Sequence, residues 1–157
     1  MRTIRIWLLV ICCVLGLEAS AQKDKRPDSY NYLRGYEAFE AEDYDEAYNY
    51  FSKELKDNPK NGYAHTLMAV VYYMNDEYGK ALNETELAIK YLPKKDSEYQ
   101  AHAHISKAAL HLVLEDTTTA ISTLSSAIKN YPAEAILYEK RAGIYYELKE
   151  YNKAIEE

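Results

Sequence analysis

The sequence predicts an all-α protein assembled from repeated pairs of antiparallel helices, and three regularities predict it. Prolines punctuate the chain in step: Pro59 and Pro93 stand 34 residues apart, and Pro132 follows after 39. Alanines keep the same step, with Ala47 and Ala81 34 apart, Ala120 39 further on and Ala154 another 34 beyond. Between these marks, apolar residues fall at helical rather than alternating spacing. A constant period of this size marks a stack of like units, each too small to bury its apolar face alone.

Each unit reads as two helices. Residues 64–75 carry Leu67, Val70, Val71 and Met74 at helical spacing, and residues 78–91 carry Leu82, Leu87 and Ala88, with Leu92 following. Pro93 then stops the second helix, because proline has no N–H to donate. Small residues recur in register: Gly35, Ala69, Ala108 and Ala142 in the first helix, and Ala47, Ala81, Ala120 and Ala154 opening the second. Ala88 and Ala127 lie seven residues further along the same face. Small side chains at these points let helix backbones approach closely. The units span residues 28–61, 62–95, 101–134 and 135–157, with an insertion over 96–100. Ser97 and Gln100 have capping-box spacing, so the insertion is expected to lengthen the next helix by about 7 Å at 1.5 Å per residue.

This pattern resembles the tetratricopeptide repeat, a 34-residue unit with small residues at its eighth, twentieth and twenty-seventh positions and proline at its thirty-second. Asp43-Tyr44-Asp45-Glu46-Ala47 and Leu148-Lys149-Glu150-Tyr151-Asn152-Lys153-Ala154-Ile155 are similar to its inter-helix turn. The resemblance covers residues 28–157. It implies an α-solenoid, helix pairs stacked as a right-handed superhelix, whose concave groove holds a peptide or a partner helix.

The N-terminus reads as an export leader over residues 1–21. Arg2 and Arg5 precede an apolar run of 12 residues, 6–17, and Ala19-Ser20-Ala21 supplies a small-x-small cleavage pattern. The run is short of the roughly 20 residues a membrane-spanning helix needs. An uncleaved anchor is the alternative, and a lipoprotein site fits less well because Ile11 precedes Cys12. Residues 22–27 form a polar spacer. Cleavage would remove Cys12 and Cys13, and with them disulfides, thiol nucleophiles and cysteine metal sites. It would leave 17 basic against 24 acidic residues, a charge of −7. That composition suits a bacterial periplasm or cell envelope and argues against nucleic acid, whose affinity comes from Lys and Arg on phosphates.

No chemistry emerges from the remaining motifs, so neither catalysis nor a cofactor is expected. His65 and His104 occupy equivalent positions, and His104 and His111 lie seven apart, but no pair has the three- or four-residue spacing of a helical metal site. Packing between helices accounts for them. Asp43, Asp45 and Glu54 mimic three positions of a calcium loop, yet Tyr48 stands where the loop needs glycine; acids at a helix start explain Asp43, Asp45 and Glu46 better. Asn83-Glu84-Thr85 matches a glycosylation acceptor but falls mid-helix. Gly35, Gly62, Gly79 and Gly143 form no phosphate loop, and no Ser-His-Asp set assembles.

Tyrosine is the most distinctive feature, 17 residues in 157. Tyr44, Tyr78 and Tyr151 recur at one repeat position and Tyr72 and Tyr145 at another, which the resemblance makes framework. By the same resemblance, Tyr32, Tyr36, Phe39, Tyr63, Thr66, Val70, Tyr73, Met74, His102, Ile105 and Leu112 line the groove. Ala109 and Val113 join them, with Glu40, Glu139 and Glu147 as charges. The expected partner is a protein or peptide carrying apolar and basic residues. A scaffold is the first reading; an interaction module of a longer exported enzyme and a structural adaptor of an envelope complex are the others. Members that grip chaperone C-termini carry Lys and Asn where this chain has Tyr32 and Tyr36, so that grip is not expected.

Two departures mark the first unit. Glu54 replaces the small residue at the twenty-seventh position, and Arg34 stands where the family has Leu. The sequence suggests either a partly buried Arg34–Glu54 pair or a rotation that turns Leu33 inward and leaves both charges in water. The fourth unit has a first helix over 135–148 but only seven residues from Tyr151, about two turns and too short to be stable alone. The natural product is therefore expected to continue past residue 157. If it does not, Ile144, Tyr145, Tyr146 and Ile155 would be only partly covered, and this end would self-associate.

Overall fold

A computed structural model describes residues 27–157; the leader, its cysteines and all but the last residue of the spacer lie outside the described residues. Eight helices occur among the described residues, with no strand. They fall into two compact units that meet at Pro93 and Lys94 in sequence. The N-terminal unit contains α1 (Tyr30–Glu40), α2 (Tyr44–Asp57), α3 (Gly62–Met74) and α4 (Tyr78–Tyr91). The C-terminal unit contains α5 (Ser97–Val113), α6 (Thr117–Asn130), α7 (Ala135–Glu147) and α8 (Tyr151–Glu156). Each helix packs on the next within its unit, and the first helices of successive pairs, α1 with α3 and α5 with α7, also touch.

Small residues set these contacts. Ala47, Ala81 and Ala120 are each 0% exposed, as are Ala88 and Ala127. Gly35 lies under Phe51, whose ring would sit 2.7 Å from a Cβ built there. Gly62 is tighter still: its Cβ would meet the backbone nitrogen of Leu92 at 2.4 Å. Around these contacts the fully buried Phe51 and Leu92 fill the N-terminal unit, and Leu124 and Leu137 fill the C-terminal one. Burial of each such side chain stabilises by about 1.5–3 kcal/mol.

The turn inside every helix pair is the same. Glu42, Asp76, Glu115 and Lys149 take φ near +60°, the left-handed conformation, although none is glycine. In each turn the next residue's N–H reaches back five residues: Asp43 to Ala38, Glu77 to Tyr72, Asp116 to His111 and Glu150 to Tyr145. This is a Schellman closure, which satisfies carbonyls left free at the helix end. Asp43 and Asp116 then cap the following helix by accepting from the backbone of Glu46 and Thr119, each at 3.0 Å. The Thr119 bonds hold the Asp116 carboxyl below its usual range. Aromatic pairs brace three of the four turns: Phe39 on Tyr44, Tyr73 on Tyr78 and Tyr146 on Tyr151, with centroids 5.5–5.8 Å apart.

Proline ends the second helices. Asn58, Leu92 and Tyr131, which precede Pro59, Pro93 and Pro132, all leave the helical region, with ψ of 72°, 139° and 62°; a proline ring clashes with a helical residue before it. The insertion does lengthen a helix, since α5 has 17 residues against 13 in α3 and α7. Its start differs from the capping box, however. The N-cap is Asp96, so Ser97 is already inside the helix and donates its hydroxyl to Glu134 at 2.5 Å. Gln100 is fully buried. Ile144 also departs from expectation: it is 6% exposed and belongs to the C-terminal core, while Tyr146 and Ile155 are 61% and 82% exposed.

The histidines pack between helices. His65 lies over Tyr91, with Nδ1 2.6 Å from Glu84 and Nε2 3.1 Å from the Pro59 carbonyl. His104 lies near Tyr131 with its Nδ1 buried and unpartnered. Burial, followed by Lys94 and Lys107, lowers its pKa from 6.5 to about 4.

Two predictions test this packing. Gly62→Ala must push backbone from backbone and is expected to destabilise by about 1–3 kcal/mol in urea unfolding. Gly79→Ala, which meets nothing within 4 Å, is expected to be neutral or stabilising. His104 should make stability fall with acidity: between pH 6.5 and 4 the unfolded chain binds a proton that the folded chain refuses. Melting temperature should decline across that window and level out below it, and His104→Leu should flatten the decline in melts taken at half-unit steps.

Candidate functional site

In the N-terminal unit, Tyr32, Tyr36 and Phe39 come from α1, and Tyr63, Thr66, Val70, Tyr73 and Met74 from α3. Spacings of three and four keep each set on one helical face, and α1 packs on α3. The two sets are not equally accessible. Tyr32, Phe39, Tyr63, Thr66 and Tyr73 are all buried, at 3–8% exposure. Tyr32 stacks on Tyr36 at 6.4 Å and tilts against Phe51 at 6.2 Å, and Thr66 donates to the Gly62 carbonyl at 2.9 Å. Burial raises the Tyr73 phenol above its usual pKa. These side chains form a floor held within the unit. Tyr36, Val70 and Met74 are half-buried above it, with Glu40 exposed beside them.

In the C-terminal unit, His102 and Ile105 are buried at 5% and 3%, and Ala109 at 6%. Leu112 and Val113 are half-buried, and Leu112 packs against that unit's core. Burial lowers the pKa of His102, opposed by Glu98 and Glu134 and assisted by Lys140. Glu139, whose side chain is 72% exposed, accepts from the Lys140 ammonium at 3.1 Å. Glu147 is exposed.

Neither account of Arg34 and Glu54 holds. Arg34 lies at the surface, bonded to Glu37 at 2.6 Å, with its guanidinium 5.7 Å from the Tyr50 ring. Leu33 does not turn inward; it is 46% exposed. Glu54 is nevertheless buried, at 1%, and its partners are neutral: the Ser29 hydroxyl at 2.6 Å, the Asn61 amide at 2.7 Å and the Asn58 amide at 3.1 Å. Ser29 spends its hydroxyl here instead of capping α1. Sequence reasoning missed this set. Its only signal was the carboxylate at a small-residue position, because the donors come from two distant places, Ser29 ahead of α1 and Asn58 and Asn61 in the α2–α3 turn.

Among the described residues, no group of three or more His, Cys, Asp or Glu could hold a metal ion. No helix there is long and apolar enough to cross a membrane.

Comparisons with known proteins agree on the fold. A family model described as "Tetratricopeptide repeat" matches residues 38–105, and a second of the same description matches residues 105–157. No curated protein sequence matches the chain. One crystal structure of MamA protein is similar with a TM-score of 0.63 and 22% identity, covering 80% of this chain and 66% of that one, so the chain spans just under two thirds of its length. A second crystal structure of MamA gives 0.69 and 15%, covering 94% and 81%. The TPR2B domain of yeast Sti1, solved in complex with pHsp70, gives 0.59 and 21%, covering 80% and 94%. Such identities speak for fold alone. With matched helix pairs, a shared turn and family models running from residue 38 to 157, this chain belongs to the tetratricopeptide repeat family, whose repeats are protein-interaction scaffolds.

Proposed function

We propose that the N-terminal unit binds an extended or helical peptide, apolar with basic residues, on the surface formed by α1 and α3. The observation that carries this reading is the contrast between floor and rim. Five buried side chains make a preorganised base, and Tyr36, Val70 and Met74 present apolar area above it beside the Glu40 carboxylate. A base already held in place loses little entropy when a ligand docks. The apolar rim favours an aliphatic or aromatic anchor, and Glu40 favours a neighbouring Lys or Arg. In this reading the chain does no chemistry of its own, and its leader-like residues 1–21 send it to a bacterial envelope compartment.

The similar Sti1 domain was solved with pHsp70, so the chaperone tail is a natural comparison. The resemblance puts Lys and Asn where this chain has Tyr32 and Tyr36, and those tyrosines stack on each other. Nothing cationic is offered to a terminal carboxylate at those positions. An acidic chaperone C-terminal peptide is expected to give no heat in calorimetry; micromolar affinity would overturn the assignment.

Replacing Tyr36 and Met74 together with Ala is expected to weaken a natural partner at least tenfold, roughly 1.4 kcal/mol, because anchors of this kind carry much of the binding energy. The fold should survive, since neither residue is part of the buried floor. Tyr73→Ala is the contrasting change: it opens a cavity beneath the surface and should lower stability as well as binding. Unchanged partner capture by the Tyr36/Met74 variant would rule this surface out.

A further inference from the structure

We propose that the N-terminal unit carries a second binding site, a cleft at its helix ends that takes a lysine or arginine side chain of a partner peptide in front of the Glu54 carboxylate. The cleft lies at the helix ends, away from the Tyr36, Val70 and Met74 rim of the α1–α3 surface, and shares Tyr63 with that surface's floor. It measures about 710 Å³ and is walled by the start of α1, the end of α2, the turn into α3 and the end of α4. Asp28, Glu54, Asp57, Asn58, Asn61 and Tyr63 supply its chemistry.

Glu54 is the reason to assign it a cation. The equivalent residues of the next two repeats, Ala88 and Ala127, are fully buried, so the helix-pair packing needs only a methyl group there. A carboxylate in that place is costly unless its charge is answered. Three donors surround it, and all are neutral; they satisfy its oxygens without cancelling the charge. The donors are departures too. At the positions equivalent to Ser29, Asn58 and Asn61, the next two repeats carry Tyr63 and His102, Leu92 and Tyr131, and Lys95 and Glu134. Four coordinated departures in one repeat hold a negative charge at the back of an open cleft.

The rim adds to the same sign. Asp28 and Asp57 are exposed, and the Asn31 amide donates to Asp57 at 3.5 Å. Among the described residues, Lys60 is the one cation in the lining, against three carboxylates. Low-dielectric walls strengthen the field of a buried charge, so Glu54 acts on a bound ammonium or guanidinium through space while Asp28 and Asp57 touch it. A single long basic side chain fits this arrangement: its stem lies along Pro59 and Tyr63, and its head meets the acids.

The test is an NMR titration of the isotope-labelled protein with acetylated, amidated Gly-Lys-Gly and Gly-Arg-Gly, and with Gly-Gln-Gly as the uncharged control. Saturable shifts at Ser29, Asn58, Asn61 and Gly62 with the basic peptides, and none with the control, are the expected result. Glu54→Ala, the residue of the sister repeats, should weaken binding at least tenfold while the protein still melts cooperatively. Glu54→Gln removes the charge and keeps the side chain's size, and should weaken binding likewise; it serves if the alanine variant unfolds. Equal affinity in Glu54→Gln, equal response to Gly-Gln-Gly, or no shift at these residues would overturn the site. Shifts confined to Tyr36, Val70 and Met74 would also overturn it, while supporting the α1–α3 surface.

Discussion

Phe51 lies across Gly35, at 2.7 Å from where a Cβ would stand, and the same demand for close approach is repeated down the chain. Ala47, Ala81 and Ala120 meet it with a single methyl and no exposure. Helices brought this near can bury long side chains from both partners in one layer, which is how single helices of 11 to 17 residues become stable. Isolated helices of that length are marginal in water. Everything else follows from the constraint: the pairs must be antiparallel, the turns short, and the apolar face directed at the next helix.

Short turns bring their own requirement. Closing a pair in three residues puts one residue in the left-handed conformation, and this chain uses Glu42, Asp76, Glu115 and Lys149 for it. Such a conformation costs a non-glycine residue about 1–3 kcal/mol and persists only when its surroundings over-determine it. The surroundings here are uniform: a backbone bond five residues back, an acidic residue next in sequence, and in three cases an aromatic pair across the turn. Tyr78 adds a hydroxyl bond to Asp76 at 2.6 Å, which with burial pushes its pKa up to about 12. The recurrent tyrosines are therefore a turn device as much as a core residue.

Features that repeat were legible in the sequence, and features that occur once were not. Period, helix pairs, proline stops and the small-residue register are each written three or four times, so errors at one copy are corrected by the others. The longer α5 was legible for a different reason, since an insertion must go somewhere. Its cap was not: Asp96 and Ser97 are both competent N-cap residues, and tertiary burial of Asp96 and Gln100 decided between them. The expected groove residues were chosen by register, but register does not tell floor from rim. Tyr36 and Tyr73 look alike in sequence, and only packing buries one and half-exposes the other. Glu54 was flagged by its position; its neutral partners were invisible because Ser29, ahead of α1, lies far in sequence from Asn58 and Asn61 in the α2–α3 turn.

The distinction between floor and rim bears on how one framework can serve different ligands. Tyr32, Phe39, Tyr63 and Tyr73 are packed within the repeat pair, so changing any of them alters stability before it alters recognition. Tyr36, Val70 and Met74 are half-buried and less constrained. The equivalents of Tyr36 along the chain are Val70, Ala109 and Gly143, four side chains of steadily decreasing size on the same framework. At Gly143 a Cβ would meet nothing within 4 Å, although glycine inside a helix costs about 0.5–1 kcal/mol relative to alanine. Packing within the chain does not ask for that glycine, whereas it does ask for Gly35 and Gly62. The proposed recognition would thus rest on a few positions that the fold leaves unspecified, with the aromatic majority keeping those positions in place.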